Sequence, residues 1–250
     1  MARLSVNVNK VATLRNSRGG TQPSVLEAVD VCVKAGVPGI TVHPRADERH
    51  ITAADVRDIA RFLRERAPGV EYNIEGDARP DLIDLVEEVR PDQCTLVPVV
   101  PGEITSQAGW QPGPATEQLH GTVERLHARG IRVSLFVDAE SKPIRWAASI
   151  GADRVELYTE PFARAYEQGS ARARESFATF AEAAKAAHGA GLGVNAGHDL
   201  DLANLTLFRD LPHLDEVSIG HAIMSRALFV GLSTVVREYL DILKPARGAV

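Results

Sequence analysis

Short β-branched runs alternate with longer stretches of helical period along the whole chain. The first run spans Leu4 to Asn9. Pro23 and Ser24 then open a segment with apolar residues at Val25, Ala28, Val29, Cys32 and Val33. That i, i+3, i+4, i+7, i+8 spacing predicts one buried helix face. Gly36 stands where a C′ glycine would close it. A second run, Gly39 to His43, follows. Thr52 with Asp55 three residues on predicts a helix start, and Val56, Ile59 and Leu63 continue its face.

The alternation persists. Further strands are predicted at Val70 to Glu75, Gln93 to Val97, Ile131 to Asp138, Arg154 to Thr159, Leu192 to Gly197 and Glu216 to Gly220. Helical stretches follow them at Pro80 to Val89, Ala115 to Arg129, Lys142 to Ile150, Pro161 to His188, Leu200 to Asp210 and His221 to Lys244. The stretch from 161 to 188 is long enough to hold an extra helical element. Strict alternation implies a parallel sheet. Eight units in 250 residues fit an α/β fold of the (β/α)8 TIM-barrel type. An open doubly wound sheet is the alternative. It commonly carries a glycine fingerprint after the first strand, where this chain has Asn9-Lys10.

Strand parity adds a second layer. Leu4, Val6 and Val8 share one face of the first strand; Ser5, Asn7 and Asn9 share the other. Ile40 and Val42 oppose Thr41 and His43, Tyr72 and Ile74 oppose Asn73 and Glu75, and Val155 and Leu157 oppose Glu156 and Tyr158. Val194 and Ala196 oppose Asn195, and Val217 and Ile219 oppose Ser218 and Gly220. The apolar faces would pack on helices. The polar faces would point into the barrel and must be satisfied by one another or by a ligand.

Composition then narrows the class. A length of 250 residues allows two domains of about 125 or one barrel; the eight units favour a single domain over 1–250. With 28 Lys and Arg against 33 Asp and Glu, the net charge of −5 disfavours broad nucleic-acid binding. No apolar run reaches the roughly 18 residues of a membrane span. The start, MARLSVNVNK, lacks the apolar core of a signal peptide, so a cytoplasmic protein is expected. Cys32 and Cys94 read as small buried thiols. No HExxH or CxxC spacing is present, so no metal site is expected.

Barrel chemistry sits at the C-terminal strand ends. There the chain offers Asn9 and Lys10, His43, Glu75, Pro98, Asp138, Thr159, His198, and Gly220-His221. Histidines from different strands suit proton transfer near neutral pH, though each alone could be structural. A partly buried Glu75 could act as a base or pair with an arginine such as Arg45. Arg18, Arg45 and His50 would suit an anionic group, or could be surface charge. Gly220-His221 opening a helix offers backbone N–H groups to a phosphate.

These motifs resemble the pyridoxine 5′-phosphate synthase family. The matching stretches are VATLRNSRGG (11–20), GITVHPRADERHIT (39–52), NIEG (73–76), CTLVP (94–98), EITSQAGW (103–110), VSLFVDA (133–139), VNAGHDL (194–200) and IGHAI (219–223). The resemblance implies a TIM barrel with extra helices, assembled as a homo-octamer. It implies condensation of 1-deoxy-D-xylulose 5-phosphate with 3-amino-2-oxopropyl phosphate, without metal or organic cofactor. It gives proton-acceptor roles to His43 and Glu75 and a proton-donor role to His198. Arg45, His50 and Thr105 match positions that hold the deoxyxylulose phosphate. Asn7, Arg18, Gly220 and His221 match positions that hold the aminooxopropyl phosphate. The Pro- and Gly-rich stretch Val99 to Gly113 is the lid candidate.

Four departures from the family pattern fall at strand ends. Asn9-Lys10 replaces Asp-His, Val99 replaces a glutamate, Asp199 replaces a glycine that contacts phosphate, and ELYTE replaces ELHTG. Two enzyme readings follow: the vitamin B6 synthase itself, or a diverged paralogue condensing a different amino-ketone and ketose pair. In the second, Lys10 could form a Schiff base if desolvated, or pair with phosphate or Asp199. A non-catalytic ligand-binding relative is a third reading, disfavoured by the retained His43, Glu75 and His198.

Overall fold

A computed structural model describes residues 1–99 and 106–244. Eight parallel strands close into a barrel in chain order. They are β1 (Arg3–Asn7), β2 (Gly39–Val42), β3 (Glu71–Gly76), β4 (Gln93–Leu96), β5 (Arg132–Val137), β6 (Arg154–Tyr158), β7 (Gly193–Gly197) and β8 (Leu214–Ile219). Among the described residues eleven helices surround them: α1 (Asn9–Asn16), α2 (Val25–Lys34), α3 (Ala53–Arg66), α4 (Pro80–Val89), α5 (Thr116–His127), α6 (Ser141–Ser149), α7 (Glu160–Glu167), α8 (Ser170–Gly189), α9 (Leu205–Phe208), α10 (His221–Val230) and α11 (Leu232–Leu243). The (β/α)8 expectation holds. No helix among the described residues is long and apolar enough to cross a membrane.

Local chemistry explains the element ends. Thr52 and Asp55 form a reciprocal capping box at the start of α3, satisfying two orphan N–H groups. Pro80 opens α4, where its missing N–H costs nothing, and Arg90 ends it in the left-handed conformation. Val56, Ile59 and Leu63 of α3 are fully buried, each contributing about 1.5–3 kcal/mol against the barrel wall. At the start of β4, β6 and β8 an aspartate ties the preceding strand down. Asp92 accepts the Tyr72 N–H at 2.7 Å, Asp153 the Val133 N–H at 2.7 Å, and Asp215 the Val194 N–H at 3.0 Å. This repeat fixes register between β3 and β4, β5 and β6, and β7 and β8.

Two helical details differ from the sequence reading, and a third, the extra element within 161–188, agrees with it. Asn9 and Lys10 do not extend the first strand; they open α1. That helix buries only Ala12, so its sequence carries no amphipathic signal. The stretch from 161 to 188 divides into α7 and α8 at Gly169, and His221 to Lys244 divides into α10 and α11 at Gly231. Both glycines have positive φ, which breaks helical continuity.

The parity expectation also holds. The outward apolar residues join one continuous core with the helices. Inside, polar side chains satisfy one another around half the barrel. Ser5 and Thr41 hydroxyls lie 2.6 Å apart, Asn73 donates to Thr41 at 3.4 Å, and Thr95 donates to Asn73 at 3.0 Å. Gln93 donates to Thr95 at 3.3 Å and accepts from Arg132 at 2.9 Å. Cys32 and Cys94 are buried free thiols.

Candidate active site

Asn7, at the end of β1, organises the first corner of the mouth. Its Oδ1 accepts the Asn9 N–H at 3.0 Å, turning the chain into α1. Its Nδ2 donates to Glu75 Oε2 at 3.3 Å. Asn9 in turn accepts the backbone N–H of His43 at 2.9 Å, binding α1 to the end of β2. The site therefore uses Asn9 as a backbone clamp. An aspartate could accept the same bond, so replacing the family's carboxylate by an amide removes charge but keeps this contact.

His43 and Glu75 are both buried, with His43 Nδ1 3.9 Å from Glu75 Oε2. The Ser218 hydroxyl donates to Glu75 Oε1 at 3.3 Å. Burial pushes the Glu75 carboxyl up to about 8; the Ser218 hydrogen bond opposes this and the Glu216 charge adds to it. Burial also holds His43 well below the usual imidazole range, reinforced by the positive charges of His50, Arg45, Arg79 and His198. Its Nε2 is buried without a hydrogen-bond partner. Kept neutral, the ring has one nitrogen free to accept a proton and one N–H to donate.

Below this pair lie further carboxyls. Glu156 and Glu216 are buried on β6 and β8. Burial raises Glu216 to about 7, with the Glu71 charge adding and Arg154, Arg3 and Arg132 opposing. Glu156 is raised well above the carboxylate range by burial and then by the charges of Glu75 and Glu216. Its Oε2 has no hydrogen-bond partner. Gly197 makes room for this carboxyl: a Cβ there would collide with Glu156 Oε1. At the barrel floor Glu71 is paired with Arg3 at 2.6 Å and with Arg132.

The β2–α3 loop carries Arg45, which is buried, and His50, which is partly buried. The His43 and His50 rings meet edge to face at 6.1 Å. Burial lowers His50 to about 4, helped by the charges of Arg45, Lys10 and Arg49. Arg45, Arg79 and Lys10 therefore make this wall cationic.

The opposite wall is built by β5, β6 and β7. His198 follows β7 with φ +85, and Asp199 with φ +56. Both conformations are left-handed, which histidine and aspartate tolerate better than most residues. The Thr159 hydroxyl donates to the Gly197 carbonyl at 2.6 Å and to the His198 carbonyl, and Asn204 donates to the Asp199 carbonyl at 2.9 Å. The His198 ring lies 5.2 Å from Phe136 and 5.3 Å from Tyr158. Burial lowers His198, while the charges of Asp199 and Glu160 oppose the shift.

Gly220 packs on Asn7; a Cβ there would stand 2.9 Å from the Asn7 carbonyl oxygen. It precedes α10, whose N-terminus no side chain caps. His221, in its first turn, is exposed and lies 3.4 Å from the Ser225 hydroxyl. Arg18, just beyond α1, is exposed. Lys10 is exposed as well, so the desolvation that a Schiff-base lysine needs is absent. Among the described residues no ion pair joins Lys10 to Asp199. Thr105 lies outside the described residues, as do 100–104 of the lid candidate. Its remaining part is anchored: Gly109 and Gln111 donate to Asp138 at 3.1 and 2.9 Å, and Trp110 Nε1 donates to the Leu96 carbonyl at 3.0 Å. Among the described residues no group of three or more His, Cys, Asp or Glu side chains is placed to hold a metal ion.

Four residues in this site escaped selection from sequence. Glu156 and Tyr158 were visible as inward positions on the sixth strand, and that parity could have singled them out. Arg15 and Arg79 carried no such signal, because each acts on backbone carbonyls of a distant loop.

The profile of the pyridoxal phosphate biosynthesis protein PdxJ family matches residues 4–245. The pyridoxine 5′-phosphate synthase of Porphyromonas gingivalis is 50% identical over 242 residues, covering 96% of this chain and 98% of that protein. The synthase of Xanthomonas oryzae is 51% identical over 250 residues, covering 97% of this chain and 96% of that one. Among solved structures, 3-hexulose-6-phosphate synthase from Salmonella typhimurium superposes with a TM-score of 0.66 at 14% identity, covering 96% of this chain and 98% of that chain. Phosphoribosyl anthranilate isomerase from Thermus thermophilus gives 0.59 at 16% identity, covering 96% and 98%. These two likenesses concern the barrel alone.

Proposed function

The chain belongs to the PdxJ family of pyridoxal phosphate biosynthesis and is an enzyme of the pyridoxine 5′-phosphate synthase type, and from that premise we propose the reaction it runs. It condenses 1-deoxy-D-xylulose 5-phosphate with 3-amino-2-oxopropyl phosphate to pyridoxine 5′-phosphate, releasing inorganic phosphate and water. The observation that carries this reading is the His43–Glu75 pair, a neutral imidazole 3.9 Å from a carboxyl whose pKa burial raises to about 8.

The chemistry needs protons moved at every step. The amine attacks a ketone, and loss of water gives an imine. Carbon-bound protons then leave to form enamines, and one phosphate is eliminated. Ring closure and a second dehydration complete the aromatic ring. His43 and Glu75 accept protons: burial keeps the His43 ring neutral and brings the Glu75 carboxyl up to about 8. His198 donates; burial lowers its pKa, which eases release of the proton, and the charges of Asp199 and Glu160 only partly oppose that shift. Arg45 and His50, with Thr105, hold the phosphate of the ketose. Asn7, Arg18, Gly220 and His221 hold the amino ketone. A single barrel domain carries the whole site, and no metal or organic cofactor enters the scheme.

Incubating the purified protein with both substrates tests this directly. Formation of pyridoxine 5′-phosphate with one equivalent of inorganic phosphate is expected. Absence of both products, together with no growth of a pyridoxine-requiring strain, would overturn it.

One observation favours a narrower second reading. Asp199 places a carboxylate beside His198, which repels a phosphate on that wall, while Glu160 is paired with Arg164. The partner amine would then be an amino ketone without phosphate, and a third water would leave in place of the phosphate. Faster turnover of the dephosphorylated amino ketone supports this reading; faster turnover of the phosphorylated one removes it. We also propose that the chain assembles as a homo-oligomer. Leu228 and Phe229, 73% and 88% exposed at the end of α10, are apolar surface that assembly would cover. Sedimentation of the Phe229→Glu variant tests it; an unchanged profile would remove that surface from the interface.

A further inference from the structure

Two arginines outside the reacting groups grip the β2–α3 loop at its two ends. Arg79 Nη2 donates to the Pro44 carbonyl at 2.6 Å, next to Arg45. Arg79 is itself braced by Asp77 and, through Nε at 3.0 Å, by Asp81. At the other end Arg15 Nη2 donates to the His50 carbonyl at 3.2 Å. The same guanidinium forks onto Asp55, with Nη1 to Oδ1 at 2.5 Å and Nη2 to Oδ2 at 2.9 Å. Asn16 adds a second donor to the His50 carbonyl at 2.9 Å and a third contact to the Glu48 carbonyl at 3.3 Å. Asp55 is the N3 residue of the α3 capping box, so its position is fixed before Arg15 binds it.

We propose that Arg15 and Arg79 are positioning residues that pre-organise this loop for an anionic substrate group, holding Arg45 and His50 in their binding geometry. The inference rests on the proposed role of that loop in binding the phosphate of the ketose. Each clamp is a planar fork joining a carboxylate to a backbone carbonyl, a geometry that lysine cannot reproduce. Arg15 and Asp55 are each only 14% exposed at the side chain, so water competes little for the pair. A loop ordered in advance loses no further freedom when the ligand arrives, and binding is tighter for that reason. α1 thereby does two jobs. Its first residue, Asn9, holds His43; its last two, Arg15 and Asn16, hold His50.

The test pairs kinetics with amide hydrogen exchange of the full chain. In Arg15→Gln, KM for the phosphorylated ketose should rise roughly tenfold, while KM for the amino ketone and the saturating kcat stay within about twofold. Arg15→Lys should share most of that rise, since it keeps the charge without the fork. Amides of residues 45–51 should exchange faster in free Arg15→Gln, and those of the distant α8 should not. Arg79→Gln should free the other end and raise the same KM. An equal fall of kcat with both KM values unchanged would overturn the proposal, as would unaltered exchange at 45–51. If the wild-type protein turns over neither substrate, the assigned reaction fails, and the exchange arm still decides whether the arginines order the loop.

Discussion

Asn9 Oδ1 accepts the His43 backbone N–H at 2.9 Å, so the first residue of α1 aims a proton acceptor of the proposed reaction. The departure from the family's aspartate is therefore chemical rather than architectural. Asn9→Ala removes the acceptor and leaves a buried N–H without a partner, which costs about 1–3 kcal/mol. Asn9→Asp keeps the bond. Urea unfolding of the two variants should separate them by that amount. Asn9→Asp with Lys10→His should also lower KM for deoxyxylulose phosphate if the family's carboxylate and imidazole bind it better; an unchanged KM would show that the departures are neutral.

The Glu75 carboxyl gives the reaction its pH dependence. As an acceptor it must be ionised, and burial raises its pKa to about 8. The profile of kcat/KM should therefore rise through an alkaline limb near 8. Ser218 donates to the ionised form, so Ser218→Ala should move that limb to higher pH without abolishing turnover. Glu75→Gln should lose about 10²–10⁴ of kcat/KM. A profile flat between pH 6 and 9 would remove Glu75 as the acceptor.

Buried acids also set stability against pH. Glu216 ionises near 4.5 when unfolded and at about 7 when folded. Between those values the unfolded chain has released the proton and the folded chain keeps it. Stability must then fall as pH rises through that window, and the loss is complete above about 7. Glu216→Gln cannot ionise. It should gain up to about 3 kcal/mol over the wild type at pH 8 and nothing at pH 4. Thermal unfolding at the two values measures this, and equal gains at both would refute it.

The Gly197–Glu156 contact makes a prediction about coupling. Gly197→Ala drives a methyl into Glu156 Oε1 and should cost about 1–3 kcal/mol. Because Gly197 precedes His198, turnover should fall with it. Glu156→Ala removes the obstacle, so in its background Gly197→Ala should cost little. Additive effects in the double variant would show that the two residues do not press on each other.

The barrel was written in the sequence. Periods of 2 and 3.6 alternate eight times, and their signal survives because each element buries one face against the same core. Strand parity also placed His43, Glu75, Glu156 and Ser218 on the inner side before any coordinates, because side-chain direction along a strand is fixed by covalent geometry. The capping box at Thr52 and Asp55 was legible for the same local reason. What the sequence could not show depends on distance through space. α1 fully buries only Ala12 and leaves Leu14 in solvent, so no periodicity announced it. Arg15 and Arg79 reach carbonyls 35 residues away in sequence, which only the closed barrel brings within a hydrogen bond. Lys10 and Asp199 looked alike as charged departures at the mouth. Tertiary structure separates them by neighbour, since both are exposed: Lys10 lies on α1 and its charge reaches His50, while Asp199 sits in a left-handed turn and its charge reaches His198. The residue types that could move protons were set by the sequence. Which of them lie in a dry, charged corner, with their pKa values shifted accordingly, was decided by the fold, because burial and neighbouring charge are properties of packing.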